Sequence, residues 1–562
     1  MLLCRLAIFS GGFTLDAAAA VMNDTGLDPS AVMDGIANLA TKSLVTLDKS
    51  QAAVRWYLLE TIRAYGLKKL TQHDQANTAA RHHAAYFRDI FATLASGLKM
   101  RLSNEELTRR AQEIDNVRAA LDWSFGPVGD TATGIDLTAA YTPVWLHLSL
   151  ISECRERCDR ALRCLESDAN PNAWLQMWLQ IALGSALITT MGPSEQAQTA
   201  LTRALEIADT LDDLDAQARA LSALTTVHVY RGEYGKARTT VERLWQIAHQ
   251  IGDPAIVVVA DRIMGTRLLA LGRLQEAQQC LERVPQFPIS PEDQRRSVWH
   301  HSEHRAMARA MLVRALWLQG FTEKALYESE ASLDELRGTD HQLSVCRVLY
   351  YGLCRIAPMT RDFATADRGI ARLSEVASRL DAPFWKTAGR FLEGKLMIER
   401  REVARGAAVV RDAFDTCRQT GWRMSYHEFK GALAVALAGL GQLEEALDTV
   451  NEAVASAGQR EDGQVWYLPE LLRIKGEVLL QQAADRSASA AEDCFKQAGE
   501  MAREQGALFW ELRVALSPAR LRVTQGRHSA ARQILAPVYD RFTEGFGTVD
   551  LHAARAVLDT LQ

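Results

Sequence analysis

The chain has 562 residues, of which 48% are hydrophobic and 24% are charged. This composition excludes a largely disordered protein, and the length exceeds what one hydrophobic core usually supports. The net charge of −5 gives no sign of a nucleic-acid-binding surface over the whole chain, although it does not exclude a local basic patch.

Nine cysteines are scattered through the chain without a CxxC pair. This pattern favours reduced thiols in the cytoplasm. No run of 18 apolar residues predicts a membrane helix. The N-terminal apolar run is broken by Arg5 and by Gly11-Gly12, which argues against a secretory signal. We therefore expect a cytoplasmic protein without membrane contact.

Residues 1–75 predict a small winged-helix-like module. Asp28-Pro29 begins a helix over roughly 29–41, the segments 43–48 and 54–59 predict a two-stranded hairpin, and helix resumes at Glu60. In and directly after the first of these helices, only Asn38 and Lys42 have side chains suited to contact DNA bases, and the acidic Asp34 lies nearby. We expect a structural role for the module and keep direct DNA contact as the alternative.

After residue 75 almost every segment has helical periodicity. Residues 76–170 predict a helical linker and the first helical pairs, and residues 171–562 predict about nine repeats, with an irregular loop near 285–295. A small residue opens the second helix of each pair, at intervals of 39 to 48 residues. These positions are Ala197, Ala237, Ala277, Ala325, Ala366, Ala407, Ala446, Ala491 and Ala530. The spacing predicts an all-α, tetratricopeptide-type solenoid whose stacked pairs share one core and present a concave groove.

Several segments resemble one particular protein family. RLAIFSGGFTLDAAAAV at the N-terminus, YLLETIRAYGLKKL (57–70) and EIDNVRAALDW (113–123) occur in the order found in large bacterial signal-transduction ATPases. LATKSLV (39–45), RHHAAYF (81–87), WYLPELLRIKGEVLL (466–480) and YDRFTEGFGTVDL (539–551) are similar to the same family. Its members carry a nucleotide-binding domain, a winged helix and tetratricopeptide repeats, and many are described as transcriptional regulators. The resemblance implies a regulatory protein whose repeat arm binds a ligand or a protein.

The family's phosphate-binding loop has no counterpart in this sequence. No GxxxxGK[ST] motif occurs, and the nearest fragment, Gly232 to Ala237, is explained as a turn between repeat helices. We therefore expect the C-terminal part of such a regulator, without an enzymatic activity or a cofactor of its own. An ATPase domain would have to be supplied by a partner.

No catalytic or metal site is predicted. His300 and His304 share one helical face, but a third ligand cannot be named, and a solvated helix start explains the cluster equally well. No nucleophile, base and acid can be assembled, and the abundant carboxylates fit solvent-exposed pairs on helix faces.

Three cations occupy equivalent positions on the first helices of successive pairs: Arg314, Arg355 and Lys395. On that face they would form a stripe in the groove that binds carboxylates or an acidic peptide. The alternative is pairing with neighbouring acids such as Asp362 or Glu393. If the stripe binds ligand, Arg314→Ala combined with Arg355→Ala removes binding and leaves the helical content unchanged.

The sequence thus favours a regulatory protein that binds a protein or small ligand. The alternatives are a transcription factor that uses the winged helix directly on DNA and, last, an enzyme.

Overall fold

The computed structural model describes residues 1–48, 54–92, 104–167, 171–287, 303–337, 342–380, 382–420, 422–423, 425–457, 463–482 and 485–561. Two compact units are present, Met1–Ala186 and Leu187–Gln562. The boundaries expected at residues 75 and 170 stay predictions.

The first unit begins with three helices, a hairpin and further helices. Its elements are α1 Leu2–Leu6, α2 Leu15–Val21, α3 Pro29–Thr41, β1 Val45–Asp48, β2 Arg55–Leu58, α4 Glu60–Gln72, α5 Ala76–Ala92, α6 Asn104–Ala111, α7 Ile114–Ser124, α8 Thr131–His147 and α9 Ile151–Glu166. Helix α10, Ala173–Thr190, follows.

The second unit continues with helices only, in the part of the chain that is described. They are α11 Glu195–Thr210, α12 Leu214–Arg231, α13 Tyr234–Ile251, α14 Pro254–Ala270, α15 Leu274–Gln286, α16 His304–Leu318, α17 Thr322–Asp334, α18 Gln342–Tyr351, α19 Leu353–Ile356, α20 Phe363–Arg379, α21 Pro383–Glu399, α22 Val403–Thr420, α23 Tyr426–Gly439, α24 Leu443–Ser456, α25 Leu468–Gln481, α26 Asp485–Gln505, α27 Leu508–Thr524, α28 His528–Tyr539 and α29 Val549–Asp559. Two short 3-10 helices lie at Ala357–Thr360 and Val465–Tyr467.

The predicted order of helix, hairpin and helix in the opening module is confirmed. The Asp28 side chain caps α3, because its Oδ1 accepts a hydrogen bond from the Ala31 amide at 2.7 Å. Strands β1 and β2 pair antiparallel, with Val45 opposite Leu58, and both are shorter than the predicted segments. The connection between the two predicted segments, residues 49–53, lies outside the described residues.

The N-terminal Ser10-Gly11-Gly12 turn is fixed by residues more than 100 positions away. The Asn116 side chain accepts hydrogen bonds from the amides of Ser10 (3.0 Å) and Gly11 (3.2 Å), and it donates to the carbonyl of Gly12 (3.0 Å). Buried Arg55 joins the same turn to Glu113 through an ion pair and a hydrogen bond to Gly12. Two of the segments that carry the family resemblance therefore meet here, because each satisfies the other's buried polar groups.

The second unit is a series of stacked helical pairs. Each helix packs against the next, and first helices also pack against the first helices of neighbouring pairs, for example α12 with α14 and α23 with α25. Large side chains fill the space between pairs, as around Val241, Leu244 and Ile263. The predicted all-α, tetratricopeptide-type solenoid is confirmed.

The small residues that define the repeat lie mostly where two helices touch. Eight of the nine predicted alanines are buried, whereas Ala530 is half-buried and its neighbour Ala531 is fully buried. The predicted register of the last pair is therefore wrong by one residue. In the α21–α22 pair the closest approach occurs at Gly406 rather than Ala407, because a β-carbon at Gly406 would lie 2.7 Å from the carbonyl oxygen of Gly394.

First helices far apart in the sequence also touch. The Trp317 ring lies 4.7 Å from the Phe509 ring and 5.2 Å from the Trp510 ring, measured between centroids. In a second such contact the Arg423 amide donates to the Tyr230 carbonyl at 2.7 Å. These contacts close the array on itself, so that its inner surface encloses cavities.

Within the described ranges, no helix is long and apolar enough to cross a membrane. The same residues contain no group of three or more potential metal ligands. His300 lies outside the described residues, while His304 is buried and its Nδ1 lies 2.9 Å from the Nε of Arg262.

The tight packing at Gly406 leads us to predict how a substitution there changes the free energy of unfolding. Gly406→Ala is expected to lower the free energy of unfolding by about 1–3 kcal/mol, because the methyl group would overlap the α21 backbone. Gly499→Ala is the matched control, since its β-carbon meets nothing closer than Val514 at 3.8 Å. That control should be neutral or stabilising by up to about 1 kcal/mol.

Urea unfolding followed by circular dichroism, with hydrogen exchange over residues 383–420, measures both variants. Equal effects of the two substitutions would contradict the close approach of α21 and α22.

Candidate ligand-binding cavity

A cavity of about 200 Å³ lies on the inner surface of the second unit. Its walls come from the first helices of six successive pairs and from the two 3-10 helices; the first helices are α16, α18 with α19, α21, α23, α25 and α27. The lining combines basic, acidic and aromatic side chains. The basic ones are Arg314, Arg355, Lys395, Arg473 and Arg513; the acidic ones are Glu399, Glu428, Glu470 and Glu477; the aromatic ones are Trp317, Tyr351, Trp466, Tyr467 and Trp510.

The structure brings the three predicted groove residues together in this cavity. Arg314 is on α16, Arg355 on α19 and Lys395 on α21. Two of them pair with an acid, as the alternative interpretation expected, but the acid is Glu428 of α23. Lys395 Nζ lies 3.1 Å from Glu428 Oε1, and Arg355 contacts the other carboxylate oxygen. Asp362 instead caps α20, accepting a hydrogen bond from the Thr365 amide at 3.0 Å.

Glu428 is the acidic centre of the cavity wall. Its side chain is buried, and burial alone would raise its pKa. The positive charges of Arg355, Lys395 and Arg314 outweigh this effect and hold the pKa of Glu428 well below its usual range. The carboxylate is therefore ionised at neutral pH, and it neutralises part of the cationic stripe.

A second ion network lies on the wall formed by α25 and α27. The buried carboxylate of Glu470 lies 2.7 Å from Arg473 Nε and 2.9 Å from Arg513 Nη1. Arg473 also pairs with Glu477 at 2.5 Å, and Arg513 with Asp550 at 3.4 Å. Both arginines in this wall are thus paired with carboxylates of the protein.

Arg314 differs from the other four cations of the cavity. Among the residues that the structure describes, no carboxylate lies within ion-pair distance of it, and its buried Nη2 has no hydrogen-bond partner. The guanidinium lies 4.4 Å from the centroid of the Trp466 ring. Burial, followed by repulsion from Arg355, lowers the pKa of Arg314 to about 10. Arg314 remains charged at neutral pH, and the carboxylate of Glu428 attracts it only from beyond ion-pair distance.

Aromatic rings surround this cation. Trp510 donates its Nε1 hydrogen to the backbone carbonyl of Trp466 at 2.9 Å, which orients the Trp510 ring. Trp317 is buried against Trp510, and its Nε1 lacks a partner within the described chain. Two unsatisfied buried donors, on Arg314 and Trp317, therefore belong to one cavity with apolar walls. Such a cavity suits a ligand that carries an anionic acceptor group and an apolar body.

The repeat register contains a signal for the residues that the sequence prediction missed. Arg314, Arg355 and Lys395 lie 11 residues before Ala325, Ala366 and Gly406. The missed charged residues Glu428, Arg473 and Arg513 lie 18 residues before Ala446, Ala491 and Ala531. Since 18 − 11 = 7 residues is two helical turns, both positions face the same side of a first helix.

The comparisons with known proteins give a domain match at the N-terminus. Residues 1–71 match the winged helix-turn-helix domain family. Residues 1–71 form a winged helix-turn-helix domain.

Two groups of relatives from Mycobacterium are similar to part of the chain. A protein of Mycobacterium tuberculosis described as "Putative HTH-type transcriptional regulator" is 41% identical over 144 residues, which cover 25% of this chain and 16% of that protein. An uncharacterised protein of the same organism is 32% identical over 88 residues, covering 16% of this chain and 22% of the other. The matched region thus spans less than a quarter of either relative.

Three solved helical structures are similar at low sequence identity. A Rap protein complexed with competence and sporulation factor has a TM-score of 0.48 at 13% identity, covering 71% of this chain and 99% of the other. A signal-transduction ATPase with a tetratricopeptide-repeat sensor from Pyrococcus horikoshii has a TM-score of 0.37 at 14% identity, covering 74% and 63%. Yeast Tom70 has a TM-score of 0.30 at 12% identity, covering 85% and 96%.

In the winged helix-turn-helix domain, helix α3 presents little positive charge. Its exposed side chains include Met33, Asp34 and Asn38, and Lys42 follows directly after the helix. No arginine lies on α3, although arginine provides the commonest specific contact to guanine.

The isolated charge of Arg314 leads us to predict how its removal changes the stability of the second unit. Arg314→Met is expected to stabilise the second unit by about 1 kcal/mol, because it removes a desolvated cation and keeps an apolar side chain against Trp466. Arg355→Met is the contrasting variant. It leaves buried Glu428 with Lys395 alone and should cost about 3 kcal/mol.

Hydrogen exchange of α16 and α23 in the full chain, together with the apparent melting temperature, measures both effects. A loss of stability in Arg314→Met as large as that in Arg355→Met would show that Arg314 is a structural cation with a partner.

Proposed function

We propose that this chain is the ligand-binding regulatory arm of a winged-helix regulator, and that its inner cavity recognises an anionic ligand through Arg314. The observation that carries the proposal is a half-buried cation that forms no ion pair within the described chain. Its buried Nη2 has no hydrogen-bond partner there, and it lies in a cavity among tryptophan rings. A structural arginine in such a position would ordinarily be paired, as Arg355, Arg473 and Arg513 are.

The cavity sets the kind of ligand. At about 200 Å³ it accepts a small molecule, or a single side chain or carboxyl terminus of a peptide, rather than a folded protein surface. A carboxylate would accept hydrogen bonds from Arg314 Nη2 and Trp317 Nε1, while its apolar part would pack against Trp466 and Trp510. The ligand class is therefore an apolar or aromatic carboxylate, free or at the end of a peptide.

The origin of the cavity walls supplies a regulatory mechanism. A ligand in the cavity contacts first helices from a series of pairs that runs from α16 to α27. The ligand would bind most tightly when these helices lie close together around the cavity. Its binding would therefore shift the array toward that arrangement. Regulation then requires only that a partner, such as the ATPase that the family resemblance implies, distinguishes the two arrangements.

The binding test uses N-acetyl-phenylalanine as the probe and its amide as the neutral control. We expect saturable quenching of tryptophan fluorescence by the carboxylate, and binding at least about tenfold weaker for the amide, a difference of 1.4 kcal/mol or more. Arg314→Met should weaken carboxylate binding by a similar factor without unfolding the chain.

Arg368→Met is the matched control, because Arg368 is an exposed arginine on α20 outside the cavity. Equal affinity for acid and amide, no saturable binding of either, or unchanged binding in Arg314→Met would each refute anion recognition by this cavity. Arg314→Met is also cleaner than the Arg314→Ala, Arg355→Ala double variant, because Arg355 additionally holds Glu428.

Direct DNA binding is the second candidate, favoured by the winged helix-turn-helix match and by the description of the mycobacterial relatives. We propose that the domain contributes little DNA affinity by itself, since α3 presents Asp34 and no arginine.

Accordingly, the full chain should not shift a duplex of mixed sequence at about 50 mM salt, where phosphate contacts are strong. A shift at that salt concentration that disappears at about 200 mM, and that Lys42→Glu weakens, would establish the DNA-binding candidate instead.

A further inference from the structure

A second cavity lies where two distant stretches of the repeat array meet. It has a volume of about 400 Å³, and its walls include Gly232 and Tyr234 from the α12–α13 turn and Trp422, Arg423 and Tyr426 from the region before α23. The Arg423 amide donates to the Tyr230 carbonyl at 2.7 Å, so these stretches are in direct contact. We call this space the seam cavity.

Rings join the two stretches behind the seam cavity. Tyr230 stacks on Phe384 with centroids 5.3 Å apart, and Phe384 meets Trp422 edge-on at 4.5 Å. Residues near 230 and 422 are thus held together by aromatic packing and by one backbone hydrogen bond. The seam is a closing contact between early and late pairs.

Two buried donors in the seam cavity lack acceptors. Trp422 is 2% exposed, and neither its Nε1 nor the Tyr234 hydroxyl has a hydrogen-bond partner in the described part of the chain. They come from opposite sides of the seam, and both residues line the cavity. A molecule that accepts from both would therefore bridge the early and late pairs.

The charges around the seam cavity are unbalanced. Arg418 and Arg423 line it, and neither has a carboxylate within ion-pair distance in the described ranges. The acid of the lining, Glu452, already receives hydrogen bonds from Lys430 (2.6 Å) and Tyr426. Burial lowers the pKa of His427 to about 4, so its ring is neutral at pH 7 and adds no charge.

We propose that the seam cavity binds a small planar anion of the aromatic-carboxylate class. The carboxylate would accept hydrogen bonds from Tyr234 and Trp422 and would face Arg418 and Arg423, while the ring would pack against the aromatic side chains of the lining. Because the ligand touches both sides of the seam, its binding holds the array closed. This site shares no residue with the cavity around Arg314.

The test titrates the full chain with benzoate by calorimetry, with benzamide as the neutral control. The Tyr234→Phe, Trp422→Phe double variant removes both donors and keeps both aromatic walls. We expect saturable benzoate binding that is at least tenfold weaker for benzamide and for the double variant. Hydrogen exchange over residues 228–236 should slow when benzoate binds to the unsubstituted chain.

Arg314→Met separates this site from the first cavity. It should leave benzoate binding unchanged if benzoate occupies the seam. The proposal is overturned if benzoate shows no saturable binding, if the double variant binds it as tightly, or if Arg314→Met abolishes its binding. The outcome for the first cavity is independent, since it is measured with N-acetyl-phenylalanine.

Discussion

The inner surface of the array depends on the buried carboxylate of Glu428. A buried charge destabilises a protein unless it is paired, and Glu428 is paired with cations from two other first helices, Arg355 of α19 and Lys395 of α21. The three side chains therefore fix the positions of three successive helical pairs relative to one another. Apolar packing of small residues brings the helices together, but it does not select charged groups for the inner face. The ion cluster does so, and it places the cavity.

This pairing leaves Arg314 as the one cation of the cavity without an ion pair among the described residues. Glu428, Glu470 and Glu477 form ion pairs with Arg355, Lys395, Arg473 and Arg513, and Asp550 pairs with Arg513 as well. Arg314 forms no ion pair within the described chain and lies against the Trp466 ring. A fully paired network would make the inner surface a structural core, without an unpaired group for a ligand to bind. Under the proposed function, incomplete pairing leaves part of that core available to a ligand at some cost in stability. The proposed ligand recognition and the isolated charge would then both follow from one missing carboxylate.

The sequence was sufficient for the parts of the fold that depend on local pattern. Helical periodicity, the capping Asp28 and the recurrent alanines predicted the helices, the hairpin and the stacked pairs. They also placed Arg314, Arg355 and Lys395 on one face. The register failed by one residue at Ala530, because two adjacent alanines satisfy the same pattern and only packing distinguishes them.

Contacts between distant pairs could not be predicted in this way. Glu428, Trp466 and Arg513 reach the cavity because the array closes, and closure depends on contacts such as Trp317 with Phe509, almost 200 residues apart. Their shared position two turns from the predicted stripe becomes visible only when the register is corrected at Gly406 and Ala531. A single repeat contains no information on which later repeat it will face.

Closure also explains why both cavities lie where they do. One is bounded by first helices from α16 to α27, and the other by residues near 232 and 422. In an open superhelix these groups would face solvent, and their unpaired donors would be hydrated without cost. Closure removes that water, so Arg314, Trp317, Tyr234 and Trp422 become unsatisfied at the same moment. Any molecule that satisfies them stabilises the closed form relative to the open one. The physical basis that we propose for regulation is therefore the polar cost of closing the array, which a ligand with acceptor groups would offset.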